Sequence, residues 1–184
     1  MKIWSKILLL ALAANLAFAF SAGKLVQDAR AQVGQTLFYD PSYERLAYPM
    51  GDVDMIKGVC TDVVVRALRG QDIDLQRLIH EDMSANFSAY PKNWGATKTD
   101  KNIDHRRVPN IATYLKRKGY EAKGEFKAGD IVTWRLDNGR PHIGIVSDKF
   151  AGGKTPLVIH NIGLGAQEED VLNEYEIMGH FRIK

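Results

Sequence analysis

Only one of the 184 residues is cysteine, Cys60. No disulfide can therefore close within the chain, and the thiol needs another explanation. Charge of one sign is also scarce. The formal net charge of +3 includes Lys2 and Lys6, and without them the remainder is near +1. That balance gives no reason to expect a nucleic-acid partner, and the cluster Lys116-Arg117-Lys118 reads as the solvated face of a helix. Internal repeats and low-complexity linkers are absent, so one domain is expected, over residues 23–184. Past the first twenty residues no apolar run is long enough to cross a membrane.

What is present begins with Lys2 and Lys6 beside the apolar run Ile7 to Phe20, followed by Ala17-Phe18-Ala19 and Phe20-Ser21-Ala22. This is the layout of a secretory signal peptide, assigned to residues 1–22, with cleavage after Ala19 or Ala22. The alternative is an uncleaved N-terminal anchor. An exported protein, periplasmic or secreted and without stable membrane insertion once processed, is expected.

Apolar spacing predicts helices over Gly23–Val33, Cys60–Leu68, Asp74–Phe87 and Val108–Lys118. Thr36–Met50 and Ser88–Arg107 read as irregular. After Gly129 the pattern changes to short β-branched runs at 130–136, 142–148, 156–162 and 179–183. Helices followed by an antiparallel meander give an α+β class.

Cys60 follows a glycine-containing turn and opens a helix. The positive end of the helix dipole favours a thiolate there, which points to a nucleophile; a small buried apolar residue is the plainer alternative. Facing Asp148 with Pro156 across their loop puts His142 opposite Ile162 and Gly144 opposite His160. His142 and His160 then share a face as diagonal neighbours, roughly 7–8 Å apart at Cα. A slip of one residue would bring Asn161 in instead. Either partner could orient an imidazole acting as base toward a thiol. Gly144 leaves space on that face for a helix end or a substrate. The polar segment Asn102 to Asn110 carries His105, Arg106 and Arg107. It either presents guanidinium groups to a substrate carboxylate or pins its own loop through Asp104. A metal site from His142, His160 and Asp148 is a further alternative, but their spacing lacks a short zinc signature.

These parts, in this order, resemble the NlpC-type cell-wall cysteine peptidases of the papain-like superfamily. The matching residues are Cys60 at a helix start, Gly129-Asp130-Ile131-Val132, His142-Ile143-Gly144-Ile145, His160, and an upstream tyrosine, Tyr48. The chain is also similar to a numbered bacterial family of unknown function, through Gly58-Val59-Cys60-Thr61-Asp62-Val63-Val64, the Asn102–Asn110 stretch and His160-Asn161-Ile162-Gly163. It departs from the NlpC pattern where Asp62 follows the cysteine instead of an acid preceding it, so Asp62 becomes a candidate substrate contact.

The resemblance implies an α+β, papain-like fold and a hydrolase that cleaves an amide bond, in peptidoglycan stem peptides. Cys60 would be the nucleophile and His142 the base, with His160 or Asn161 orienting it. The Cys60 N–H and Tyr48 would hold the oxyanion, and His105, Arg106 and Arg107 the substrate. No cofactor and no metal is expected, and the protein should be a monomer with a peptide or peptidoglycan substrate. A thiol acyltransferase or transglutaminase-like enzyme, and a non-catalytic wall-binding module, are the rival readings.

Overall fold

The computed structural model describes residues 19–184. The expected signal segment up to residue 18 lies outside them. Among the described residues no helix is long and apolar enough to cross a membrane.

Four α-helices come first: α1 (Ala22–Arg30), α2 (Cys60–Arg69), α3 (Leu75–Ala85) and α4 (Val108–Arg117). Their starts follow from local chemistry. The Ser21 hydroxyl accepts the Lys24 N–H at 3.2 Å, and the Asp74 carboxylate accepts the Gln76 N–H at 3.1 Å. Pro109 sits in the first turn of α4, where its missing N–H costs nothing. The apolar stripe of α2, including Val63, Val64, Ala67 and Leu68, is fully buried. Burial of this kind contributes about 1.5–3 kcal/mol per large aliphatic side chain. The segment expected to be irregular between α3 and α4 forms three single 3-10 turns, the last at Asp104–Arg106.

A five-stranded antiparallel sheet follows, built from β3 (Ile131–Arg135), β4 (Pro141–Ala151), β5 (Thr155–Asn161), β6 (Ala166–Glu169) and β7 (Glu176–Phe181), in the order β6-β5-β4-β3-β7. The α+β class is as expected, but the sheet is not a simple meander. The segment Ala166–Glu169 occupies the free edge of β5, so the last strand pairs with β3 on the far side. A separate parallel pair joins β1 (Phe38–Tyr39) to β2 (Lys57–Gly58), with Tyr39 beside Gly58.

Side chains alternate between the faces of the sheet. Ile131, Ile143, Ile145 and Ile159 pack with the helices. Val132, Trp134, Val146 and Val158 form a second cluster on the opposite face, under Leu172, whose carbonyl accepts the Trp134 Nε1–H at 3.0 Å.

Near the tip of the β4–β5 hairpin Phe150 faces Pro156, and β4 is longer than the sequence suggests. A bulge then leaves Ser147, Asp148 and Lys149 opposite Leu157 alone, and the ladder resumes at Val146↔Val158 and Ile145↔Ile159. The assumed Asp148–Pro156 pairing is thus incorrect, yet the bulge restores the register inferred from it at the histidines. Arg30 and Glu168 hold the bulge. Arg30 pairs with both Asp148 and Glu168, and the Ser147 hydroxyl donates to Glu168.

Candidate active site

The start of α2 is fixed from several sides. Asp62 reaches back to accept the Val59 N–H at 2.7 Å. The same carboxylate takes both arms of Arg106, at 3.0 Å from Nε and 2.9 Å from Nη2. Arg106 also donates to the carbonyls of Ser42 and Asp40, at 3.0 and 3.2 Å. Asp62 and Arg106 are 3% and 7% exposed and already matched to each other. Their charges are committed to each other, where the sequence suggested contacts to a substrate. His105 is also buried, facing the protein interior with its Nδ1 unpartnered, and burial pushes its pKa down to about 4. Of the three expected contacts in that segment, Arg106 and Arg107 line the cleft, and only Arg107 does so without an acidic partner.

The Cys60 thiol is 4% exposed. The β4–β5 ladder ends at Ile145↔Ile159, and beyond it the Ile143 backbone N–H lies near enough to favour the Cys60 thiolate. The N–H groups of Thr61 and Cys60 itself also favour the thiolate, as expected at a helix N-terminus. Burial outweighs them, and the nearby Asp62 carboxylate adds to it, so the thiol is pushed up to about 12. The expected low-pKa thiolate is not what this environment stabilises. At rest the sulfur is a protonated thiol, because desolvation of an anion costs more than three amide dipoles return.

His142 immediately precedes Ile143 on β4, one residue from the amide that favours the thiolate. His142 and His160 occupy the sheet face away from the helices, while Cys60 packs on the helix side, beyond the last paired residues of β4 and β5. The diagonal placement expected from alternation is present: His142 Nε2 and His160 Nδ1 are 2.8 Å apart. On its far side His160 Nε2 lies 3.1 Å from Glu169 Oε2. Both rings are buried, at 3% and 0% exposed. Burial, and then the neighbouring His160, push His142 down to about 3. Burial also lowers His160, with Glu169 acting in the opposite direction. The His142 ring stands 5.8 Å from that of Trp134.

Gly144 does not provide open space for substrate. A Cβ there would lie 2.6 Å from Val158 Cγ1 and 3.1 Å from His160 Cβ, so the glycine permits the close approach of β5. Asn161 faces the other way and does not touch His142. Its Nδ2 donates to the carbonyl of Gly58 at 3.1 Å, tying β5 to the strand that leads into Cys60. Asp148, considered as a metal ligand beside the histidines, is paired with Arg30 instead. The direct contact between the two imidazoles leaves no gap between them for an ion. No group of three or more metal-binding side chains occurs among the described residues.

Two adjoining hollows meet at this point. One, of about 460 Å³, contains Cys60, Trp94 and Arg107. The other, of about 380 Å³, contains His142, Ile162 and Tyr175. Tyr39, Arg140 and Pro141 line both. Burial raises the Tyr39 phenol to about 12, so it remains a proton donor. Tyr48, expected here, instead lies edge-on to His80 with ring centroids 5.4 Å apart. The β1–β2 pairing puts Tyr39, not Tyr48, beside the residues that precede the cysteine. Arg107 lies over the Trp94 ring at 5.2 Å. No carboxylate lines the first hollow, and neither Arg107 nor Arg140 has an acidic partner among the described residues. Tyr39, Arg140, Trp94 and Glu169 were missed from sequence. Arg140 was visible only as part of a hairpin tip, and Glu169 sits in a strand without β-branched residues.

Known proteins similar to this chain include the uncharacterized protein YijF of Escherichia coli. It is 56% identical over 163 residues, which cover 86% of this chain and 80% of that protein. Among solved structures, NlpC1 from Trichomonas vaginalis aligns with a TM-score of 0.45 at 15% identity, and NlpC2 from the same organism with 0.41 at 14%. These alignments cover 89% and 90% of this chain but only 45% and 48% of those chains. The family model for the Domain of unknown function (DUF1287) matches residues 26–183, and the chain belongs to that family.

Proposed function

We propose that this protein is an exported cysteine hydrolase that cleaves an amide bond, with peptidoglycan stem peptides as the substrate. The observation that carries the reading is a helix-start thiol near the Ile143 amide, with the buried, hydrogen-bonded His142–His160 pair beginning one residue away on the same strand. The motif resemblance to NlpC-type peptidases supports the same chemistry.

The resting pair is neutral, so the first step is general-base catalysis. The Cys60 sulfur forms a bond to the amide carbon while its proton passes to His142. The carbonyl π-electrons move to oxygen, where the Cys60 N–H and the Tyr39 hydroxyl stabilise the oxyanion. As the tetrahedral species collapses, His142 gives the proton to the departing nitrogen and leaves a thioester. Water then loses a proton to His142 and attacks the thioester. The carboxylic acid is released, and the proton returns to Cys60.

Signal removal after Ala19 fits the fold. Ser21 caps α1, and its backbone pairs with the Gln71 amide at 2.7 and 3.1 Å. Cleavage after Ala22 would remove both interactions.

The test is digestion of defined muropeptides by wild type, Cys60→Ala and His142→Ala, with products read by mass spectrometry. Hydrolysis by wild type alone is expected. Binding without cleavage by all three would instead indicate a wall-binding module, and products joined to an added amine would indicate an acyltransferase.

A further inference from the structure

Glu169 has the geometry to control both histidines. Alternation puts it on the same face as its direct partner Val158, and therefore diagonal to His160. The contact repeats, on the next strand, the diagonal that joins His160 to His142. Its neighbour Glu168 points to the opposite face and is held by Arg30, Lys149 and Ser147. Only one of two adjacent acids is thus directed to the site, and a slip of one residue would exchange them.

We infer that Glu169 is a positioning residue that fixes the tautomers of His160 and His142 and leaves Nδ1 of His142 as the free basic nitrogen. The steps follow from donor and acceptor bookkeeping. An ionised carboxylate only accepts, so the His160 Nε2 facing it at 3.1 Å carries a hydrogen. A neutral imidazole has one N–H, so His160 Nδ1 is an acceptor. The nitrogen 2.8 Å away, His142 Nε2, must then donate. A neutral His142 that donates through Nε2 has its lone pair on Nδ1, which makes no hydrogen bond within the described residues. Burial keeps both rings neutral, as the sequence of donors requires. A cationic His160 would donate from Nδ1, drive the His142 hydrogen onto its own Nδ1 and block the base.

The use of that lone pair rests on the hydrolase reading above; the tautomers themselves do not. The side chain of Glu169 is 46% exposed, so Glu169→Ala and Glu169→Gln should fold. The test is the ¹⁵N chemical shifts of His142 and His160 in histidine-labelled full-length mature protein, together with muropeptide turnover. In wild type both rings should be protonated at Nε2 and bare at Nδ1. Glu169→Ala should shift His160, and with it His142, toward mixed tautomers and lower kcat roughly tenfold with KM unchanged. Glu169→Gln retains an accepting oxygen and should recover most of the rate and the wild-type shifts. Wild type with Nδ1–H on His142, or unchanged shifts in Glu169→Ala, would overturn the inference. The expected shifts without any muropeptide cleavage would leave the tautomer assignment standing and remove the hydrolase reading.

Discussion

Asp62 and Arg106 form a two-armed ion pair beneath the start of α2, with side chains only 4% and 2% exposed. The pair anchors the helix start, and its carboxylate also raises the pKa of the Cys60 thiol. Removing one partner strands a buried charge. Arg106→Leu or Asp62→Leu should each cost about 3–5 kcal/mol, while the double replacement should be much milder. Denaturant titration of the three variants checks this. Additive losses would show that the two groups are not coupled.

The two guanidinium groups that line the cleft without acidic partners, on Arg107 and Arg140, give the next expectation. Replacing either by alanine should raise KM for a carboxylate-bearing substrate roughly tenfold, consistent with loss of one charge-assisted contact of about 1.5 kcal/mol. The melting temperature should stay within experimental error, since neither pairs with an acid in the fold. Equal losses on carboxylated and amidated substrates would remove the charge-recognition argument.

The high thiol pKa makes Cys60 a poor target for simple alkylation. Its iodoacetamide reaction near pH 8 should be at least about tenfold slower than that of free cysteine, and should still be climbing above about pH 9. A rate that plateaus near neutrality would instead show a thiolate–imidazolium pair at rest.

Stability should fall with acidification. Burial lowers His142 to about 3 and His105 to about 4, against about 6.5 in the unfolded chain. Between these values the unfolded chain binds more protons, so stability is present above about pH 6.5 and is lost as pH falls toward 4. His160 acts in the same direction. Asp104, raised by burial, opposes the trend in part. Melting temperatures from about pH 7.5 down to about pH 4.5 should decline steadily, and His105→Asn should flatten the curve. A flat wild-type profile would contradict the neutral, buried state of these rings.

The helices and the histidine diagonal were legible in the sequence because both rest on short-range periodicity. Cys60 at a helix start needs only the apolar spacing of Val63, Val64, Ala67 and Leu68. His142 and His160 need only strand alternation, and this survived an incorrect assumption about the hairpin because the bulge at Ser147–Lys149 compensated for it. The remainder depended on long-range pairing with little local signature. Ala166–Glu169 is polar and lacks β-branched residues, so neither the edge strand nor Glu169 could be read. Tyr39 enters the site through a two-residue parallel pair with Lys57–Gly58, which no local pattern marks, whereas the resemblance alone points to Tyr48. Asp62 and Arg106 resembled substrate contacts because charge is expected at a surface. Their mutual burial is a tertiary fact.

The most direct test of the central claim is hydrolysis of a peptidoglycan stem peptide in heavy-oxygen water. The account predicts that wild type releases a fragment whose new carboxyl group carries one solvent oxygen, and that Cys60→Ala releases none. Cleavage at the wild-type rate by Cys60→Ala, or no release by a folded wild type, would contradict it.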